Sequence, residues 1–163
     1  NFAFIDGANL HCGMITLGWK LDYKKFRIWL TDKYSVTKAY IFLGKIPKYK
    51  RLYFYLQKCD YTIIFKEVIY DDNGKPKGNC DADLVLKVTE EYYENKYDNA
   101  VIVSSDGDYS SLVSFLINKN SLKTVLSPSK EKKCSILLKR TAAKISYIND
   151  QKSKIEFKRK GPR

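Results

Sequence analysis

Histidine is almost absent from this sequence, and cysteine is scarce and shows no pattern. The 163 residues contain one histidine, His11, and four cysteines, Cys12, Cys59, Cys80 and Cys134. A single histidine disfavours a Ser-His-Asp triad and hydrolysis by paired histidines. No two cysteines have Cys-x-x-Cys spacing, which disfavours a zinc site. We therefore expect free, mostly buried thiols in a reducing cytoplasm.

Long apolar runs are also missing. No run reaches membrane-spanning length and no secretory leader is visible, so we expect a cytoplasmic protein with no membrane partner. The sequence also lacks internal repeats and low-complexity linkers. Its length suits one domain with a substantial core, which we place at residues 1–150. A basic tail at residues 151–163 either frays or forms a nucleic-acid-binding arm, and fraying is the simpler expectation.

Acidic residues are outnumbered by basic ones. Lys and Arg total 30 against 18 Asp and Glu, which gives a formal net charge of +12. A basic surface around a small acidic pocket suits a polyanionic substrate whose phosphates meet a bound cation. A lysine-rich proteome produces the same charge, so the charge alone does not identify the substrate.

Apolar runs and helical patterns alternate along the chain. Asp22 is placed to cap a helix over residues 23–33, and Pro47 to open a helix that ends near Cys59. The other expected helices cover residues 81–95, 109–118 and 129–139, the last opening at Ser129 or Lys130, and the expected strands cover residues 2–5, 36–43, 61–70, 100–103, 122–126 and 145–148. Strands that alternate with helices predict an α/β fold with a parallel sheet covered on both faces.

Helical spacing predicts which residues of two helices face the core. In the helix that Pro47 opens, the predicted inner residues are Leu52, Tyr55, Leu56 and Cys59. In the helix over residues 81–95 they are Ala82, Val85, Leu86, Thr89, Tyr92 and Tyr93.

Aspartates stand where strands should meet loops or helices. The three segments are FIDGAN (residues 4–9), KGNCDAD (residues 77–83) and SSDGDY (residues 104–109). Parallel strands end at one rim of a sheet, where ligands bind, so we expect these acids to converge. Converging carboxylates repel each other unless they share protons or hold a cation, and Mg²⁺ and Mn²⁺ prefer such oxygen ligands. The aspartates in these segments are Asp6, Asp81, Asp83, Asp106 and Asp108.

Taken singly, most of these aspartates have a purely structural explanation. Asp6 suits a turn, Asp81 or Asp83 suits the first turn of a helix, and Asp108 suits a helix cap. Asp106 is harder to explain in this way, because the helix that follows needs only one cap. Acids in three segments that share one rim favour a joint metal site.

Other polar residues lie near these acids in the sequence. Asn9, Ser104 and Ser105 are candidates for holding a phosphate oxygen or a ligand, and Asn9 is equally suited to joining loops. Lys45, Lys48 and Arg51, with the basic tail, are candidates for holding a nucleic-acid strand outside the acidic pocket. Tyr49 and Tyr53 either stack on bases or fill the core.

The three segments, in this order, resemble those of the NYN domain, a branch of the PIN-like nuclease superfamily, over residues 2–150. The resemblance implies a three-layer α/β/α fold with a central, mostly parallel sheet. It also implies cleavage of nucleic acid that depends on Mg²⁺ or Mn²⁺, with RNA as the first expected substrate and DNA as the second, and it makes a homodimer one expected arrangement. Carried over by position, the metal-site acids are Asp6, Asp81, Asp106 and Asp108, with help from Asp83, and the accompanying polar residue is Asn9.

Three positions depart from the family pattern. Ser105 stands where glycine is common, and Asp83 stands where glutamate is common. Lys87 stands where some relatives carry another acid, which puts a second metal in doubt. With one or two cations, we expect in-line attack of water on phosphorus without a histidine base.

Two other interpretations remain open. One is a nucleic-acid-binding module of the same fold that has lost catalysis. The other is a haloacid-dehalogenase-like phosphatase, because Asp106 and Asp108 form an Asp-x-Asp motif. That family carries this motif on the first strand, whereas here the first strand ends in Asp6-Gly-Ala.

Overall fold

The protein is organised around one parallel sheet. A computed structural model describes residues 1–159 and residue 161. The strands of the central sheet are β1 (Phe2–Asp6), β2 (Lys38–Gly44), β3 (Tyr61–Lys66), β6 (Ala100–Val103), β7 (Leu122–Ser127) and β8 (Ile145–Tyr147). Their spatial order is β3-β2-β1-β6-β7-β8, and all neighbours pair in parallel. A separate antiparallel pair consists of β4 (Ile69–Tyr70) and β5 (Pro76–Lys77).

Helices connect the strands and cover the sheet. They are α1 (Gly7–Leu17), α2 (Tyr23–Tyr34), α3 (Lys50–Lys58), α4 (Asp81–Tyr93), α5 (Ser110–Asn118), α6 (Ile136–Lys139) and α7 (Lys152–Ile155). The predicted α/β fold is thereby confirmed. Asp22 caps α2 as predicted, since its carboxylate accepts a hydrogen bond from the Lys25 amide at 3.0 Å. No helix within residues 1–159 combines the length and apolar character needed to cross a bilayer.

Each face of the sheet carries its own apolar core. Successive strand residues point to opposite faces, so Ala3 and Ile5 of β1 enter one core and Phe4 enters the other. Helices α1, α2 and α3 cover the first core, and α4 and α5 cover the second. Because helices pack on both faces of the sheet, the strands and the loops at their ends are held in place.

The carboxyl ends of the central strands form one rim. Ile5 of β1 pairs with Val103 of β6, so Asp6 and Ser104 leave the sheet side by side. On its other side Asp6 pairs with Phe42 of β2. The loops after β1 and β6 are therefore neighbours, as the parallel sheet predicts.

The predicted inner face of α4 is partly wrong: Val85 and Tyr92 pack against the core as predicted, but a charged residue occupies the buried row. On α4 the buried residues are Leu84, Val88 and Glu91. Leu86 and Tyr93, which we predicted to face inward, expose 57% and 63% of their surface. An apolar pattern cannot identify a core face that contains a glutamate.

The face predicted for α3 is also partly wrong. Its buried residues are Tyr53 and Leu56, whereas Leu52 and Tyr55 are 38% and 43% exposed. The Tyr53 hydroxyl donates to the Gly44 carbonyl at 2.8 Å and accepts from a backbone amide. Of the two roles expected for Tyr53, the structure therefore shows that of filling the core.

Two further segments differ from prediction. Helix α1 was not predicted, and the helix expected over residues 129–139 is a 3₁₀ turn (Glu131–Lys133) followed by the short α6. The cysteines behave as expected, because all four are free and all except Cys12 are buried.

The start of the basic tail packs on the domain. Helix α7 buries Ile155 completely, and the Phe157 amide donates to a backbone carbonyl just before α2 at 2.8 Å. The expectation that this tail frays is wrong for residues 151–157, because an apolar side chain anchors them. Lys160 and Arg163, which the expected basic tail includes, lie outside the described residues.

Candidate functional site

Three carboxylates from two segments meet at the rim of the sheet. Asp81 opens α4, and Asp106 and Asp108 lie in the loop between β6 and α5. One ligand oxygen from each lies within 4.8 Å of the other two. Asp81 and Asp106 are partly buried and Asp108 is exposed, so the group is open to solvent on one side. We call these three residues the acidic cluster.

Local hydrogen bonds shape the two segments that carry the acidic cluster. Asp106 has extended backbone angles and caps the next turn, because its Oδ1 accepts from the Asp108 amide at 3.0 Å. The Ser104 hydroxyl accepts from the Asp106 amide at 3.1 Å. Before α4, the side-chain oxygen of Asn79 accepts from the Asp81 amide at 2.7 Å. Short polar side chains thus fix both backbones by bonds to nearby amides.

Asp6 lies behind the acidic cluster and is only 6% exposed. It caps α1, with Oδ1 accepting from the Asn9 amide at 3.0 Å. Burial raises the pKa of the Asp6 carboxyl, and the negative charges of Asp81 and Asp106 raise it further, against the lowering effect of its hydrogen bonds. Asp6 is therefore close enough for the charges of the acidic cluster to raise its pKa, although none of its oxygens belongs to the group of three.

Tyr109 connects Asp6 to the acidic cluster, a role that sequence reasoning missed. Its hydroxyl lies 2.7 Å from Asp81 Oδ1 and 3.0 Å from Asp6 Oδ2. A phenol carries one proton, so the two carboxylates share a single donor. Burial raises the pKa of Tyr109 far above its ordinary value, and the charge of Asp6 adds to this, so the phenol stays protonated. The available signal was that a buried tyrosine needs a partner for its hydroxyl.

Asn9 joins the two loops that leave β1 and β6. Its side-chain oxygen accepts from the Ser105 amide at 2.9 Å and from the Ser105 hydroxyl at 3.1 Å. Ser104 is buried and is engaged with the backbone of its own loop. In this structure all three predicted polar residues hold the loops that carry the acids.

Asp83 points to a different partner. Its carboxylate forms an ion pair with Lys66, at the end of β3, at 3.1 Å. Lys87, one turn further along α4, pairs with Glu91 at 3.0 Å. Neither Asp83 nor Lys87 belongs to the acidic cluster.

The predicted cations lie at the same rim but contact none of the acids in the cluster. Lys45, Lys48 and Arg51 are exposed in the segment after β2. The Lys45 ammonium lies 6.0 Å from the centre of the Phe65 ring, and that of Lys48 lies 5.1 Å from the centre of the Tyr49 ring. The acidic cluster therefore does not neutralise their charges.

Cys80 is a buried thiol that directly precedes Asp81 in the chain. Burial raises its pKa to about 11, with a further contribution from the charges of Asp6 and Asp83. The thiol is therefore protonated at neutral pH and offers neither a nucleophile nor a thiolate ligand.

Comparison with known proteins gives one family and one solved structure. A model of the NYN domain matches residues 2–149. No curated protein matches the chain. A crystal structure of a protein of unknown function from Vibrio parahaemolyticus is similar, with a TM-score of 0.70 and 22% identity, over 96% of this chain and 94% of that one. At this level of identity the likeness concerns the fold.

Proposed function

The chain belongs to the NYN domain family, whose members are PIN-like nucleases, and from that premise we propose that it is a divalent-metal-dependent ribonuclease that hydrolyses phosphodiester bonds within a strand. The observation that carries this proposal is the acidic cluster of Asp81, Asp106 and Asp108, with oxygens within 4.8 Å of one another. These carboxylates come from two segments and lie at the rim where parallel sheets bind ligands.

The donor set of the acidic cluster fits a hard cation. Three carboxylate oxygens match the preference of Mg²⁺ and Mn²⁺, and the nearby Cys80 thiol is protonated. Asp81, Asp106 and Asp108 would hold the ion, and Asp6 would contribute charge from behind them. When bound, the ion would activate a water molecule and stabilise negative charge on the phosphate.

The other residues of the site keep the carboxylates in place. Tyr109 orients Asp6 and Asp81 by donating its proton between them. The Asn9 side chain fixes the Ser105 backbone next to Asp106. The lone histidine, His11, is exposed on α1 and has no part in this arrangement. Lys45, Lys48 and Arg51 would attract the phosphates of the substrate.

The phosphatase alternative is less consistent with the topology. Asp106 and Asp108 follow β6, whereas β1 carries only Asp6 at its end. A binding module without catalysis would retain RNA in every divalent metal and never cut it. The presence of all three carboxylates in one cluster favours the enzyme.

Cleavage of end-labelled single-stranded RNA tests the proposal. We expect cutting in Mn²⁺ or Mg²⁺, none in EDTA, and at least a roughly hundredfold slower rate for the double variant Asp6→Asn/Asp106→Asn. Asp98→Asn is the matched control, because Asp98 is exposed and precedes β6, at the amino-terminal ends of the strands and away from the rim. Equal rates for wild type and the double variant would contradict the proposal, as would hydrolysis of para-nitrophenyl phosphate without any cleavage of RNA.

A further inference from the structure

A groove leads away from the acidic cluster between α1 and α3. It consists of two adjoining cavities of about 690 and 310 Å³, which share the lining residues His11, Tyr23 and Leu52. The smaller cavity reaches Gly7 and Gly78. Gly7 follows Asp6 in the chain, and Gly78 lies three residues before Asp81, so the groove opens beside the site.

We propose that this groove binds single-stranded RNA and guides the strand to the acidic cluster. The inference rests on the proposed function and adds to it the form of the substrate and its path over the surface. Three features carry it: exposed aromatic rings, cations beside them, and a shape and lining that suit unstacked bases.

Aromatic rings border the groove with their surfaces partly open. Tyr49 and Tyr55 are each 43% exposed, and Phe157 is 45% exposed. Tyr49 lines the smaller cavity, and the other two line the larger one, so the rings are distributed along the groove. Exposed rings spaced along a groove are the means by which proteins stack successive bases of a single strand.

Cations accompany these rings. The Lys20 ammonium lies 4.7 Å from the centre of the Phe157 ring, and the Lys48 ammonium lies 5.1 Å from that of Tyr49. Among the described residues that line the two cavities, Asp22 alone is acidic, and its carboxylate caps α2. The charge around the groove therefore complements a phosphate backbone.

The lining of the groove favours a single strand over a duplex. Ile41, Leu43 and Leu56 line the smaller cavity and offer no hydrogen bonds from their side chains, so this part of the groove is apolar. A duplex keeps its base faces inside the stack and presents phosphates and sugars outward. An unpaired strand can place its bases in the groove and leave its phosphates to the cations on the border.

Fluorescence anisotropy in EDTA tests this inference without cleavage. The probes are a fluorescein-labelled oligouridine and a labelled RNA duplex of equal length. We expect the single strand to bind more tightly, and Tyr49→Ala and Phe157→Ala each to weaken its binding roughly tenfold, as for loss of one stacked base. Tyr93→Ala is the control, because Tyr93 is 63% exposed on α4, which covers the other face of the sheet. Circular dichroism melting verifies that each variant is folded.

The salt dependence of the same binding supplies a second readout. Each phosphate contact to a single strand contributes about 0.7 to the slope of log affinity against log salt. We expect Lys48→Gln to reduce the slope by about that amount, because the Lys48 ammonium lies beside the Tyr49 ring. Lys123→Gln removes the same charge at the start of β7, at the amino-terminal ends of the strands, and should leave the slope unchanged.

The outcomes separate this inference from the proposed function. Equal binding of duplex and single strand, or groove variants that bind as wild type does, would overturn the groove assignment while metal-dependent cleavage still stood. If the groove variants bind the single strand more weakly but the wild-type protein never cuts RNA, the groove assignment would be supported and the proposed nuclease activity overturned. A wild-type dimer that Tyr55→Ala converts to monomer would assign the groove to a second copy and overturn the inference.

Discussion

The Tyr109 hydroxyl donates to Asp81 at 2.7 Å, and this bond links the loop after β6 to the first turn of α4. Asp6 Oδ2 lies 3.0 Å from the same hydroxyl. The phenol thus occupies the point where all three aspartate segments meet. Without it, two carboxylates would face each other with no donor between them.

Removal of this hydroxyl should weaken metal use more than it weakens the fold. We expect Tyr109→Phe to cleave RNA roughly tenfold more slowly at low Mn²⁺ and to recover partly at high Mn²⁺, because the loss of a bond to a charged group frees Asp81. Rates measured over a Mn²⁺ series provide the test. Tyr97→Phe is the control, since its buried hydroxyl donates to the Val88 carbonyl instead. Identical metal dependence in the two variants would contradict a positioning role for Tyr109.

The bond between Asn9 and Ser105 should matter for both stability and activity. Asn9→Ala leaves the Ser105 amide and hydroxyl without their acceptor, and we expect a loss of about 1–3 kcal/mol in the free energy of unfolding. Ser105→Ala keeps the amide bond and should cost about 1 kcal/mol or less. Urea denaturation compares the two variants. An Asn9→Ala variant as stable as wild type would show that this bond does not hold the loops.

Asp81 and Asp83 should differ sharply although both open α4. We expect Asp81→Asn to reduce cleavage at least roughly hundredfold, because it removes a carboxylate from the acidic cluster. Asp83→Asn breaks only the half-exposed pair with Lys66, which contributes little, so its rate should stay within about twofold of wild type. Matched cleavage assays decide this, and equal losses for the two variants would place Asp83 among the ligands.

The raised pKa of Asp6 predicts how the stability of the metal-free protein changes with pH. Between the ordinary value of 3.8 and the raised pKa, the native state holds more protons than the unfolded state. The free energy of unfolding therefore falls as pH rises through that window. Asp6→Asn removes this fall and keeps one oxygen that accepts from the Asn9 amide. Its new side-chain NH₂ group can donate to the Tyr109 oxygen, whose own proton is donated to Asp81.

Thermal unfolding in EDTA measures the effect. We expect Asp6→Asn to melt at a higher temperature than wild type at pH 7, and the difference to shrink as the pH is lowered toward 4. In saturating Mn²⁺ the wild type should instead melt at the higher temperature, because only the wild type offers the full negative charge to the ion. A difference in melting temperature that does not change with pH would contradict the raised pKa of the Asp6 carboxyl.

The convergence of the acids could be predicted because it follows from topology. Asp6 directly ends β1, and Asp106 follows β6 by three residues. Once the alternation of elements predicts a parallel sheet, both must leave from the same rim. Asp81 also belongs to that rim because its helix starts there. No side-chain detail was needed for this inference.

The orientation of side chains could not be predicted in the same way. Asp81 and Asp83 lie two residues apart, so they point about 200° apart around a helix axis. Which of them faces the rim depends on the rotation of α4, and the apolar pattern misjudged that rotation because Glu91 is buried. The role of Tyr109 depends on the same rotation, since its partner is Asp81.

Helix α1 escaped prediction for a different reason. Gly7 and Gly13 are poor helix formers, and Asp6-Gly7 suits a turn as well as a helix start. Leu10 and Met14, one turn apart and both buried, were the available signal. Packing of α1 on the sheet outweighs its weak intrinsic propensity.

Direct measurement of Mn²⁺ binding, by the loss of the electron paramagnetic resonance signal of the free ion, tests the central claim that the acidic cluster holds the cation. We predict saturable binding by wild type and by Asp98→Asn, and affinity at least roughly tenfold weaker for Asp81→Asn, Asp106→Asn and Asp108→Asn. If the three variants bind Mn²⁺ as tightly as wild type, the carboxylates at this rim are not its ligands, and the account of the site is wrong.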